Sequence, residues 1–197
     1  MGEILRTIAA DARAWCQGRN WLVRAPLVAW GAWILLHHLR SPDYASFFAG
    51  LNLGIHELGH VVFMPLGQTM GVLGGSLAQV LAPLASCLVF LRQRDWFAIS
   101  FCFLWLGASL FELARYVGDA RALELPLVSP FGGDPIHDWH YLLAGAGLLR
   151  WDGTFAMLLR ACAAASILVF LAAALWLLVQ MARSGRTGRG ATTAPFP

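Results

Sequence analysis

Five long runs of apolar residues, separated by short polar stretches, set the pattern of this chain. Each run has about the twenty residues that an α-helix needs to cross the hydrocarbon core of a bilayer. We therefore predict about five transmembrane helices, which cover residues 21–39, 44–66, 70–91, 96–117 and 161–182.

Three other segments do not fit the pattern of a spanning helix. Apolar residues recur at helical spacing over residues 4–16, with charged residues on the opposite side, which predicts an N-terminal amphipathic helix on the membrane surface. The segment 138–150 is short and glycine-rich, so we predict a re-entrant or interfacial helix there. The polar segment 183–197 predicts a disordered C-terminal tail, which leaves a single membrane domain over residues 1–182.

The composition supports the same fold class. Hydrophobic residues make up 58% of the chain and charged residues 13%, whereas soluble domains have about 45–50% and about 25%. We therefore expect an all-α, polytopic integral membrane protein in contact with lipid. A net charge of +3 is too small to indicate nucleic acid as a partner. Arginines before the first run favour a cytoplasmic N-terminus in a bacterial-type inner (plasma) membrane.

The second apolar run contains the sequence HELGH, from His56 to His60. Residues four apart lie on one face of a helix, so His56 and His60 present two imidazoles at the spacing that Zn²⁺ accepts. Glu57 follows the first histidine, where it can take a proton from a metal-bound water and so produce hydroxide for attack on a carbonyl. A chance match is the alternative, but ionisable groups inside a span are costly and indicate a functional site.

A catalytic zinc usually has three protein ligands and one water. Alternating spans bring the end of the fourth run and the following loop to the same side as HELGH. We rank His137 first as the third ligand, because histidine is the commonest metal ligand, with Asp119 and Asp138 as alternatives. For Asp138 the competing role is capping of the next helix. Glu112 and Arg115 are expected to form an ion pair within the fourth helix.

Further polar residues lie near the predicted metal helix. Asn52, one turn before His56, has two open interpretations: a hydrogen bond to a ligand histidine or to substrate, and a bond to a neighbouring helix. The glycine-rich segment 67–83 carries Ser76 and Gln79 at helical spacing. It predicts either a substrate-binding or re-entrant element beside the metal, or tight helix packing through small residues.

The intramembrane HELGH followed by a glycine-rich segment resembles the site-2 protease family of zinc metalloproteases, over residues 51–83. The resemblance implies that His56 and His60 bind Zn²⁺ and that Glu57 activates water. The third ligand in that family is an aspartate in a later helix, within an Asn/Pro-containing motif that ends in Leu-Asp-Gly. Here Asp152-Gly153 lacks the preceding Asn and Pro, and Asp119 lacks the following Gly.

Three functions remain open from the sequence. The first is a membrane-embedded zinc metalloprotease that cleaves a membrane protein or peptide substrate in or at the edge of the membrane. The second is a zinc-dependent membrane hydrolase of lipid or small amide substrates. The third is a non-catalytic membrane adaptor with a residual metal site, against which the presence of Glu57 argues, since a structural zinc needs no water-activating carboxylate.

Overall fold

The computed structural model describes residues 2–128 and 136–190, and within these ranges the chain is helical with no strand. The all-α fold class is therefore confirmed. The α-helices are α1 (Gly2–Trp15), α2 (Ala25–Arg40), α3 (Ala49–Phe63), α4 (Gln68–Gln93), α5 (Trp96–Gly118), α6 (Asp138–Gly145) and α7 (Asp152–Gly190).

Within these ranges three helical segments are long and apolar enough to cross a membrane: Gln68–Gln93, Trp96–Gly118 and Leu149–Ser184. The predicted count of about five is not confirmed, because α2 has 16 residues and α3 has 15. At about 1.5 Å per residue these two helices reach roughly 22–24 Å, whereas the hydrocarbon core is about 30 Å thick.

Proline and local turns shorten the first two predicted spans. Pro26 lies in the first turn of α2, where its missing N–H costs nothing, and residues 21–24 lie outside the helix. Residues 44–48, predicted as the start of the second span, are not helical. At its other end α3 gives way to a 3₁₀ turn, Met64–Leu66, which contains Pro65. Apolar composition alone does not show where a helix begins or ends, so these shorter helices were not predicted.

The structure also shows which helices lie in the other three predicted segments. Residues 4–16 overlap α1, which packs on α7 through buried Ala12, and buried Cys16 directly after α1 contacts α7 as well. The segment 138–150 contains α6, whose eight residues are too few to span a bilayer. Helix α7 continues to Gly190, so the first part of the predicted tail is helical, and residues 191–197 lie outside the described ranges.

The hydrophobic core lies where α5 packs against α7, with α2 against the same pair. Its fully buried members include Ile34, Leu104, Ile167 and Phe170. On its other side α5 contacts α4, which in turn packs on α3. This order places the HELGH helix at the edge of the bundle, with α4 and α5 between it and α7.

Candidate metal centre

Small residues let α3 and α4 approach each other closely. A Cβ added to Gly74 would lie 2.6 Å from the carbonyl oxygen of Gly59, in the middle of HELGH. One residue further, a Cβ on Gly75 would lie 2.6 Å from His56 Nε2 and 2.7 Å from His60 Cε1. The glycine-rich segment is thus helical and supports tight packing, and Gly75 provides the space that the two imidazole rings occupy.

Three side chains converge beside Gly75. Oδ2 of Asp138 lies 2.9 Å from His56 Nε2 and 3.3 Å from His60 Nε2. His56 and Asp138 are buried, and His60 is half-buried. The three offered atoms lie within 4.8 Å of one another, which is a spacing that one metal ion can bridge.

The remote nitrogen of each ring faces a carbonyl oxygen. His56 Nδ1 lies 3.2 Å from Gln79 Oε1, and His60 Nδ1 lies 2.8 Å from the carbonyl oxygen of Gly71. A carbonyl oxygen only accepts hydrogen bonds, so each ring in its neutral form carries its proton on Nδ1 and presents a lone pair on Nε2. Two lone pairs and a carboxylate oxygen then face each other, and this arrangement requires a cation between them, either a metal ion or an added proton on one ring.

Asp138 is held by the first turn of α6, which is fastened to α4 and α5. The backbone N–H of Asp138 donates to the hydroxyl of Tyr116 (3.0 Å), and Trp139 Nε1 donates to Ser76 Oγ (3.1 Å). Burial alone would raise the pKa of Asp138, but hydrogen bonds from the protonated forms of the His56 and His60 rings outweigh it and lower the pKa below its ordinary value. Ser76 therefore anchors the helix that carries a candidate ligand.

His137, ranked first as the third ligand, lies outside this group. Its Nδ1 accepts the backbone N–H of His140 (3.2 Å) and so caps α6, and its Nε2 lies 3.2 Å from Asp119 Oδ2. Nε2 must then carry the proton, which leaves no lone pair for a metal. Burial lowers the pKa of His137 despite the opposing effect of Asp119, which favours this neutral form. The structure brings Asp138, the alternative from the sequence, together with His56 and His60.

The remaining acidic candidates have other partners. Asp119 accepts the backbone N–H groups of Glu124 (3.0 Å) and Leu125 (3.1 Å), so it folds back the loop after α5. Asp152 Oδ2 lies 2.8 Å from Arg121 Nε. Both carboxylates thus hold residues of the segment 121–125, which follows α5.

Asn52 bonds to a neighbouring helix. Its Nδ2 donates to Glu112 Oε2 (2.6 Å), and its Oδ1 accepts from Trp105 Nε1 (2.8 Å) and from Ser109 Oγ (3.1 Å), all on α5. Of the two interpretations open from the sequence, the interhelical bond is the one that the structure shows.

Glu112 is a candidate functional residue that the sequence interpretation missed. The expected ion pair with Arg115 is wrong: Arg115 Nε lies 3.2 Å from Asp43 Oδ1, whereas Glu112 accepts from Asn52, Ser46 (3.1 Å) and Gln79 (3.5 Å). A signal was present, because a carboxylate in the middle of an apolar span indicates a function by default.

A cavity of about 800 Å³ adjoins the three side chains. Its wall includes His56, Glu57, His60 and Asp138, so the half-buried Glu57 carboxyl group shares the cavity with all three donors. Most of the remaining wall is apolar and includes Leu53, Met64, Val72, Leu125 and Leu127. A cavity of this volume has room for part of a substrate beside the three donors.

Gly75→Ala is expected to weaken zinc binding by at least about tenfold, since displaced ligand partners alone cost about 10–100-fold. The new methyl group would force both imidazoles to move. Gly54→Ala on α3 is the matched control, because its Cβ would meet open space and both changes raise helix propensity equally. Titration against a chelator measures the difference, and equal affinities in the two variants would contradict the role given to Gly75.

Two imidazole nitrogens and one carboxylate oxygen form a donor set that suits Zn²⁺, and a catalytic site of this kind keeps a fourth position for water. In a metal-binding histidine, the ring nitrogen that does not bind the metal usually donates its N–H to a nearby oxygen, as each Nδ1 does here to a carbonyl oxygen. The residues present therefore fit a zinc ion. Comparison of the chain with protein-family models, with curated proteins and with solved structures found no match.

Proposed function

We propose that this protein is a membrane-embedded zinc metalloprotease that hydrolyses peptide bonds in or at the edge of the membrane. One observation carries the proposal: His56 and His60 turn their Nε2 atoms towards the carboxylate of Asp138 in the wall of a cavity that Glu57 also lines. Zinc bound there would polarise a substrate carbonyl and lower the pKa of a bound water to about 7.

The chain's own groups supply the remaining steps. Glu57 is the general base, because it is the one carboxylate of HELGH and lines the cavity beside the ligands. It accepts a proton from the attacking water and returns it to the leaving amine. His56, His60 and Asp138 stay in place during the reaction, since each is held by a separate hydrogen bond to α4 or α5.

The surroundings favour an apolar, membrane-embedded substrate. Three segments can span a bilayer. The outer face of α3 exposes Leu51, Leu58 and Val62, which suits contact with lipid. The apolar wall of the cavity suits the side chains of an extended transmembrane segment. The resemblance of residues 51–83 to site-2 proteases points to a peptide bond rather than a lipid ester.

The test compares membranes that contain the wild-type protein with membranes that contain Glu57→Gln. Mass spectrometry of protein N-termini is expected to find new termini within apolar segments of membrane proteins only with the wild type. Lipid extracts of the same samples are analysed in parallel. Unchanged termini with altered lipids would contradict the protease and support a lipid hydrolase, and no difference in either would support a non-catalytic adaptor.

A further inference from the structure

A network of hydrogen bonds connects Trp105 on α5 with His56 on α3, through side chains from α3, α4 and α5. Chemistry fixes the direction of its bonds. The indole N–H of Trp105 can only donate, so the Asn52 atom 2.8 Å away is the oxygen. The amide nitrogen of Asn52 then faces Glu112 Oε2 at 2.6 Å, where it donates.

The orientation of Gln79 follows from its own neighbours. The backbone carbonyl oxygen of Ser109 lies 3.3 Å from Gln79 Nε2, and Glu112 Oε2 lies 3.5 Å from the same atom. Both neighbours are acceptors, so the atom between them must be the amide nitrogen. Gln79 Oε1 therefore faces His56 Nδ1 (3.2 Å), and the ring must carry its proton there.

We propose that Glu112 is a positioning residue for the metal ligand His56, which it holds through Gln79 with Nε2 bare. This proposal rests on the metal site of the proposed function. Glu112 is suited to the role because its carboxylate accepts from Asn52, Gln79 and Ser46 at once. It thereby ties the amide of Gln79 on α4 to α3 and α5, and sets which ring nitrogen of His56 faces Asp138.

Removal of the acceptor oxygen is the direct test. Glu112→Leu leaves the amide groups of Asn52 and Gln79 without this acceptor, and zinc affinity is expected to fall about 10–100-fold. Glu112→Gln is expected to restore it, because the amide oxygen can accept from Asn52 and Gln79 while the amide nitrogen donates to Ser46 Oγ. A merely structural role would lower the stability of Glu112→Leu without changing the zinc affinity of the folded protein.

Ser166→Ala is the matched control. Ser166 Oγ donates to the carbonyl oxygen of Phe103 (2.8 Å), which is another interhelical hydrogen bond of α5 but lies outside the network. Zinc affinity close to that of the wild type is expected for this variant. If Glu112→Leu bound zinc as tightly as Ser166→Ala does, the positioning role would be overturned. Should Glu112→Leu fail to fold, Gln79→Leu takes its place with the same expected loss and the same overturning result.

The tautomer of His56 gives a readout that needs no zinc and no activity. Nitrogen NMR of ¹⁵N-histidine-labelled, metal-free protein is expected to show a proton on His56 Nδ1 in the wild type and in Glu112→Gln, with or without a second proton on Nε2, and a partial loss of the Nδ1 proton in Glu112→Leu. His56 protonated only at Nε2 in the wild type would overturn the network. A wild type with this tautomer that binds no zinc would instead contradict the proposed function, so the two failures are distinguishable.

Discussion

Glu57→Gln is expected to abolish hydrolysis while zinc stays bound. The substitution keeps the size of the side chain but removes the basic oxygen that takes the proton from water. General base catalysis contributes about 10²–10⁴-fold to enzymatic rates, so a loss of that size is expected in kcat. Glu57 does not belong to the group of His56, His60 and Asp138, so zinc content measured by mass spectrometry should be unchanged.

Glu124→Gln provides the control for this change. Glu124 is exposed in the loop after α5 and lies outside the cavity wall, and its contact with Asp119 is made by the backbone N–H. The substitution alters charge in the same way without altering the site. A Glu57→Gln rate comparable to that of Glu124→Gln, on a substrate identified from the new N-termini, would rule out Glu57 as the base.

Asp138→Ala is expected to remove zinc from the purified protein. The carboxylate supplies one of three donors, so its loss should exceed the about 10–100-fold effect of losing a hydrogen-bond partner of a ligand. Alanine is chosen over asparagine because an amide oxygen could still reach the metal. Zinc content after dialysis, measured by mass spectrometry, gives the result.

The neighbouring His137→Asn variant separates the two candidates for the third ligand. Asparagine keeps an acceptor at the N-terminus of α6, so the cap that His137 forms with His140 can persist. We expect His137→Asn to retain zinc. Zinc lost in His137→Asn and kept in Asp138→Ala would return the third ligand to His137.

The two histidines of the candidate site, and the part of the chain that supplies the third donor, could be predicted from the sequence. The i, i+4 spacing of His56 and His60 is a local property of a helix, and the predicted alternation of spans indicated which loop could reach them. The choice between His137 and Asp138 was not accessible in this way. It depends on the contact of His137 Nε2 with Asp119, which exists only once the start of α6 has docked against the end of α5.

The sequence alone predicted neither the number of long helices nor the partners of Glu112, and the physical reasons are similar. Composition registers apolar residues, whereas the ends of α2 and α3 are set by Pro26, Pro65 and the non-helical residues 44–48. Arg115 is the natural partner of Glu112 by helical spacing, but Asn52 on α3 lies closer in the folded chain. Interhelical contacts of this kind follow from packing, which the linear pattern does not contain.

Zinc-edge X-ray absorption of the purified protein tests the metal centre most directly. The proposed centre predicts one bound zinc with two imidazole nitrogens at about 2.0–2.1 Å and the remaining ligands, a carboxylate and water, as oxygens at about 2.0–2.2 Å. Protein that binds no zinc when zinc is supplied, or a spectrum with sulfur ligands at about 2.3 Å from the cysteines, would contradict it.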